Sequence, residues 1–105
     1  MSLSTHVLDA TTGRPATGVA VTLRSAGGEV AAGVTDDDGR IGLLAAELEN
    51  GTYRLRFDTA SYFTARGVTG FYPEVLIVFE VTDAKAHHHV PLLLSPYAYS
   101  TYKGS

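Results

Sequence analysis

The sequence predicts an all-β domain, a two-sheet sandwich of about eight strands with one short helix. Two observations carry that reading. Eleven glycines recur at short intervals among 105 residues, and the runs between them are rich in Val, Ile, Leu, Thr, Tyr and Phe. Short β-prone runs separated by turn residues are the pattern of a sandwich or barrel. Several of these runs also alternate apolar with polar residues, the period of two of a half-buried strand.

The first strand is expected over residues 5–9; if Val7 enters the core, His6 and Leu8 lie outside. Residues 19–24 follow, with Val19, Val21 and Leu23 inward. A strand over 29–35 leads into Asp36-Asp37-Asp38-Gly39-Arg40 and then a strand over 41–44. That aspartate run reads as a tight hairpin turn in which Asp-Gly supplies the positive φ angles. A calcium loop fails, because aligning Gly39 with the loop's glycine puts Val34 and Ala45 where oxygen ligands are required. The clearest strand is 53–57: Tyr53, Leu55 and Phe57 share one face, Arg54 and Arg56 the other. A helix is expected from Thr59 to about Arg66, N-capped by Asp58 or Thr59, with Arg66 suiting its C-terminal dipole and Gly67 at C′. Residues 74–81 are read as a central strand, since 75–79 is apolar on both faces. Along 88–94, His88, Val90, Leu92 and Leu94 face the core, while His87, His89, Pro91 and Leu93 face away. A strand over 99–103 closes the chain. Tyr62, Phe63, Phe71, Tyr72 and Phe79 are assigned to the core.

Composition narrows the function. Residues 1–105 make a single domain, with 45% hydrophobic and 18% charged residues and no internal repeat or linker. A net charge of −3 offers no basic face for a phosphate backbone, so nucleic acid is not expected as a partner. Without cysteine there is no disulfide framework, thiolate zinc site or cysteine nucleophile. No apolar stretch approaches the roughly 20 residues that span a bilayer, and the first six residues lack the pattern of a secretory signal. A cytoplasmic domain without membrane association is the expectation.

Four histidines hold most of the chemistry, three of them adjacent at 87–89. An outward face with His87 and His89 beside Pro91 and Leu93 is either a polar surface strand or a surface covered by another subunit. Were the first and penultimate strands neighbours, His6 and His89 would share it. Two imidazoles there suit general base and general acid near neutral pH. They also suit a metal, but only His87 is at hand as a third conventional ligand, and no metal is assigned. Arg40, just after the turn, projects a guanidinium able to orient a planar anion. No Gly-x-Ser-x-Gly elbow or glycine-rich phosphate loop is present.

Several segments carry a family resemblance. Leu3-Ser4-Thr5-His6-Val7-Leu8-Asp9, then Thr12-Gly13-Arg14-Pro15-Ala16, resembles the opening of 5-hydroxyisourate hydrolases, the transthyretin-related proteins of purine catabolism. Thr35-Asp36-Asp37-Asp38-Gly39-Arg40 and Phe71-Tyr72-Pro73-Glu74-Val75 are similar to further family segments. The most specific match is His87-His88-His89-Val90-Pro91-Leu92-Leu93-Leu94-Ser95-Pro96, running on through Tyr99-Ser100-Thr101-Tyr102-Lys103-Gly104-Ser105. The resemblance implies a transthyretin-like sandwich of two four-stranded sheets, assembled as a homotetramer (a dimer of dimers) with active sites in the channel where dimers meet. It implies catalytic roles for His6, Arg40, His89 and Ser105, substrate binding by Arg40, His89 and Tyr102, and no cofactor. The implied reaction is hydrolysis of 5-hydroxyisourate to 2-oxo-4-hydroxy-4-carboxy-5-ureidoimidazoline in urate degradation. Lys103 stands where the family usually has Arg, His88 where it has Tyr, and Ala98 where it has Gly. Two other readings share the fold: a transthyretin-like small-ligand carrier, and a prealbumin-like structural module.

Overall fold

The computed structural model of the chain describes residues 2–105; Met1, first in the segment read for a secretory signal, lies outside them. The strands are β1 (Ser2–Asp9), β2 (Arg14–Pro15), β3 (Ala20–Ser25), β4 (Gly28–Val34), β5 (Arg40–Ala45), β6 (Gly51–Phe57), β7 (Val75–Val81), β8 (His87–Leu94) and β9 (Tyr99–Thr101). One helix, α1 (Thr59–Ala65), lies between β6 and β7. One sheet runs β4-β3-β6-β7, antiparallel throughout. The other is built on β1 and β8, which pair in parallel from Ser2 opposite His87 to Asp9 opposite Leu94. β9 lies beyond β8. Because β8 occupies one edge of β1 along its whole length, β5 and β2 share the other, β5 opposite Leu3, Thr5 and His6 and β2 opposite Leu8 and Asp9. The sheet is therefore four strands wide. Two-residue β2 is too short to register as a hydrophobic pattern and was not expected.

Alternation sets the faces. Tyr53, Leu55 and Phe57 of β6, Val21 and Leu23 of β3, Val90, Leu92 and Leu94 of β8, and Leu3 and Val7 of β1 are all buried between the sheets. Each such side chain contributes about 1.5–3 kcal/mol on burial. Slipping β6 by one residue would exchange three of them for arginines and a threonine, so the register is fixed. Asp9 also points inward, where its Oδ2 accepts a hydrogen bond from the Tyr62 hydroxyl at 2.8 Å. Burial first, and then the bond to Asp9, pushes the Tyr62 phenol up to about 12. That bond ties α1 to the first strand. Asp58 caps the helix, accepting from the Ser61 backbone N–H at 3.2 Å and its hydroxyl at 2.8 Å, and these bonds hold its carboxyl below the usual range. Gly67 follows with φ 67°, as a C′ residue does.

Three expectations are corrected. The apolar run at 75–79 is not a central strand: β7 lies at the edge of its sheet, and its second apolar face leaves Leu76 45% and Val78 55% exposed. Phe71 and Tyr72 are not core residues; they form an exposed edge-to-face series with Tyr99, while Tyr62 and Phe63 are buried. The Asp36–Arg40 turn does not close a hairpin, because β4 and β5 belong to different sheets. It is a crossover, and only Gly39 within it has positive φ.

Candidate active site

The crossover is built to present Arg40. Asp36 Oδ1 accepts from the backbone N–H of Asp38 at 2.9 Å and of Arg40 at 3.0 Å. The Asp36 N–H donates to the Arg40 carbonyl at 2.9 Å, and the Gly39 N–H to the Asp36 carbonyl at 2.9 Å. Gly39, at φ 71°, accepts from the Val7 N–H at 2.7 Å, and a Cβ there would run into the Val7 carbonyl oxygen. The first residue of β5 is thus clamped against β1.

Register does the rest. Arg40 is opposite His6 in the antiparallel β1–β5 pair; across β1, His6 is opposite Pro91 and Ser4 is opposite His89. Residues paired directly across strands share a face, so Arg40, His6, Ser4 and His89 lie together on the outward face of the first sheet. His6 and His89 are both half-buried there.

Two histidines are fixed by hydroxyls. Ser4 Oγ is 2.7 Å from His89 Nδ1 and 2.9 Å from His87 Nε2, and His87 Nδ1 is hydrogen-bonded in turn to Ser2 Oγ. Burial holds the His89 imidazolium below the ordinary histidine range, helped by the Arg40 guanidinium and then by the nearby imidazoles of His6 and His87. At neutral pH His89 is therefore a neutral imidazole, able to accept a proton. The segment after β9 folds back over it: the Gly104 N–H donates to the His89 carbonyl at 2.8 Å, and a Cβ on Gly104 would strike the His89 ring. This brings Ser105 to an open cleft of about 440 Å³ lined by Ser4, Arg40, Gly42, His87 and His89.

Tyr102 stands apart. It is 59% exposed and lines a neighbouring, mainly apolar cavity of about 340 Å³ with Ile77, Phe79, His88 and Lys103, His89 lying between the two spaces. His88 does face that apolar side, as alternation predicts, with its Nδ1 buried and unpartnered. Among the described residues no group of three His, Cys, Asp or Glu side chains is placed to hold a metal ion. The sequence does not single out Ser4, and it offers His87 as part of the outward face and as a third metal ligand, not as a partner of His89. Alternation alone puts Ser4 on the face of His6, but only the β1–β8 register places its hydroxyl between two imidazoles. Among the described residues no helix is long and apolar enough to cross a membrane.

Known proteins bear on this arrangement. The family model described as the HIUase/Transthyretin family matches residues 3–104. A 5-hydroxyisourate hydrolase of Caulobacter vibrioides is 46% identical over 112 residues, which cover 98% of this chain and 97% of that protein. The structure of Klebsiella pneumoniae 5-hydroxyisourate hydrolase is similar over 100% of both chains, with a TM-score of 0.93 and 40% identity. Sea bream transthyretin in complex with thyroxine is similar over 99% of this chain and 95% of its own, with a TM-score of 0.91 and 37% identity. The sandwich is transthyretin-like.

Proposed function

Since the chain belongs to the HIUase/Transthyretin family, we propose that it hydrolyses 5-hydroxyisourate to 2-oxo-4-hydroxy-4-carboxy-5-ureidoimidazoline, a step of urate degradation. The observation that carries this reading is the sharing of one outward face by Arg40, His6 and His89. In the proposed chemistry one imidazole takes a proton from water as the oxygen attacks a ring carbonyl. Arg40 and the second imidazole bind the planar heterocycle and stabilise the oxyanion of the tetrahedral intermediate. Collapse breaks the cyclic amide C–N bond, the leaving nitrogen takes a proton and the carbonyl becomes a carboxylate. Holding ring and water in register contributes as much as the proton transfer. Ser105, at the cleft, is assigned to the catalytic set, and Tyr102 to substrate binding from the adjoining cavity. The scheme uses no cofactor.

We further propose a homotetramer, a dimer of dimers, with the clefts at the seam between dimers. Leu76 and Val78 support assembly without placing that seam: they lie on the outer face of the other sheet, where two apolar side chains side by side on an exposed edge strand suit a surface covered by another subunit. A cytoplasmic location is proposed on the lack of any cysteine framework in so small a domain.

The carrier reading has support from the likeness to a transthyretin bound to thyroxine; two imidazoles and a guanidinium on one face favour the hydrolase. One assay separates them. With 5-hydroxyisourate generated from urate by urate oxidase, adding this protein is expected to speed the ultraviolet decay well beyond the spontaneous rate. Decay at the spontaneous rate would overturn the hydrolase reading in favour of a carrier. Light scattering is expected to give four times the mass of the chain, and a stable monomer would remove the proposed seam.

A further inference from the structure

We propose that Ser4 and His87 are positioning residues that set the tautomer of His89 and relay a proton between its Nδ1 and solvent. This rests on the hydrolase reading and gives the role of base to one of the two imidazoles, His89.

The argument starts from the row Ser2–His87–Ser4–His89. Backbone pairing puts Ser2 opposite His87 and Ser4 opposite His89, and the contacts Ser2 Oγ to His87 Nδ1, His87 Nε2 to Ser4 Oγ and Ser4 Oγ to His89 Nδ1 join all four side chains. Ser4 is only 8% exposed, so bulk water does not compete for its hydroxyl. A hydroxyl has one proton, and must donate to one imidazole while it accepts from the other. With both rings neutral, two arrangements remain. In the first, Ser4 donates to His89 Nδ1, the His89 proton sits on Nε2, and His87 donates from its own Nε2 to Ser4 while its Nδ1 accepts from Ser2. In the second, His89 donates from Nδ1 to Ser4, Ser4 donates to His87 Nε2, and His87 donates from Nδ1 to Ser2. Only the second leaves a lone pair on His89 Nε2, and it is the base.

The two arrangements interconvert by proton shifts that balance. As His89 Nε2 takes the proton of the attacking water, the Nδ1 proton passes to Ser4 Oγ and the Ser4 hydroxyl proton to His87 Nε2. The His87 Nδ1 proton leaves by way of Ser2 to water, and His87 is exposed, at the solvent end of the row. His89 ends neutral, carrying on Nε2 the proton that the leaving nitrogen needs; the relay then runs backwards, taking one proton from solvent. A charged imidazolium is avoided throughout. That suits the surroundings of His89, where burial, the Arg40 guanidinium from β5 and the nearby imidazoles of His6 from β1 and His87 on its own strand all oppose protonation. Lys103 and Tyr102 from the following segment and Glu80 of β7 line the cavity on its other side.

The test compares Ser4→Ala, Ser4→Thr and His87→Gln with the wild type in steady-state turnover across pH, together with ¹⁵N NMR of the histidine rings. Ser4→Ala is expected to lower kcat by about 10–100-fold, with KM changed by less than about twofold, and Ser4→Thr to restore it. His87→Gln keeps a hydrogen-bonding group for Ser4 but cannot relay a proton, so kcat falls and the pH profile shifts even though the protein folds. Ser4→Ala and His87→Gln variants that both keep wild-type kcat and pH profile overturn the relay. Wild-type protein without turnover overturns the hydrolase reading instead, and the NMR then decides tautomer control alone. His89 nitrogen shifts altered by Ser4→Ala support that control; unaltered shifts refute it.

Discussion

His6→Ala and His89→Ala are each expected to lower kcat/KM for 5-hydroxyisourate by about 10²–10⁴-fold, the usual range for losing a placed acid–base group. Thermal unfolding should change far less than activity, because both rings are half-buried and neither belongs to the buried apolar core. The same reasoning gives a pH dependence. His89 works as a neutral base, and burial, then Arg40, His6 and His87, hold its protonation below the ordinary histidine value of 6.5. Activity should therefore persist on acidification below that value and fall only as pH drops through the depressed pKa. Removing the Arg40 charge in Arg40→Gln lifts part of the depression, so the residual activity of that variant should fall at a higher pH than in the wild type. The measurement is kcat/KM from pH 5 to 8, a span in which an unperturbed imidazole titrates. Near-normal turnover in either alanine variant would remove that imidazole from the mechanism.

Gly39→Ala is expected to cost both stability and activity, and Gly67→Ala only stability. Both glycines have positive φ, 71° and 67°, and a residue with a Cβ held there costs about 1–3 kcal/mol. Around Gly67 there is open space, so strain is the whole penalty. At Gly39 the added Cβ meets the Val7 carbonyl oxygen, with the Pro15 Cβ at 3.0 Å and the Ala16 N at 3.1 Å, and none of these is a flexible side-chain end. The crossover must back away from β1, carrying the next residue, Arg40, with it. In a domain of this size each 1 kcal/mol moves Tm by roughly 4–8 °C, so thermal melts and turnover of the two variants separate strain from displacement. Equal losses of activity would show that the Gly39 clamp does not position Arg40.

Much of this was legible because alternation is a local property. The faces of β1, β3, β6 and β8 follow from single runs, and they put His6 and His89 outside the core before any pairing is known. Pairing itself is not local. Nothing in residues 2–9 or 87–94 states that they run parallel with Ser4 against His89, so the hydroxyl row could not be read. β7 misled because a strand apolar on both faces looks the same whether a sheet encloses it or it lies at an edge with one face open. The Asp36–Arg40 turn misled in a similar way, since an Asp-Gly pair serves a crossover as well as a hairpin. Phe71 and Tyr72 were assigned inward on size alone, and aromatic size does not specify a side of the fold.

The central claim is that one outward cleft, floored by β1, β5 and β8, holds the planar substrate between Arg40 and the imidazoles. A crystal structure with an unreactive planar oxopurine tests it most directly. The account predicts carbonyl oxygens of the ligand within hydrogen-bond distance of the Arg40 guanidinium, and a ring edge facing His6 and His89. A ligand seated instead in the apolar cavity beside Ile77, Phe79 and His88, with Arg40 untouched, would contradict it.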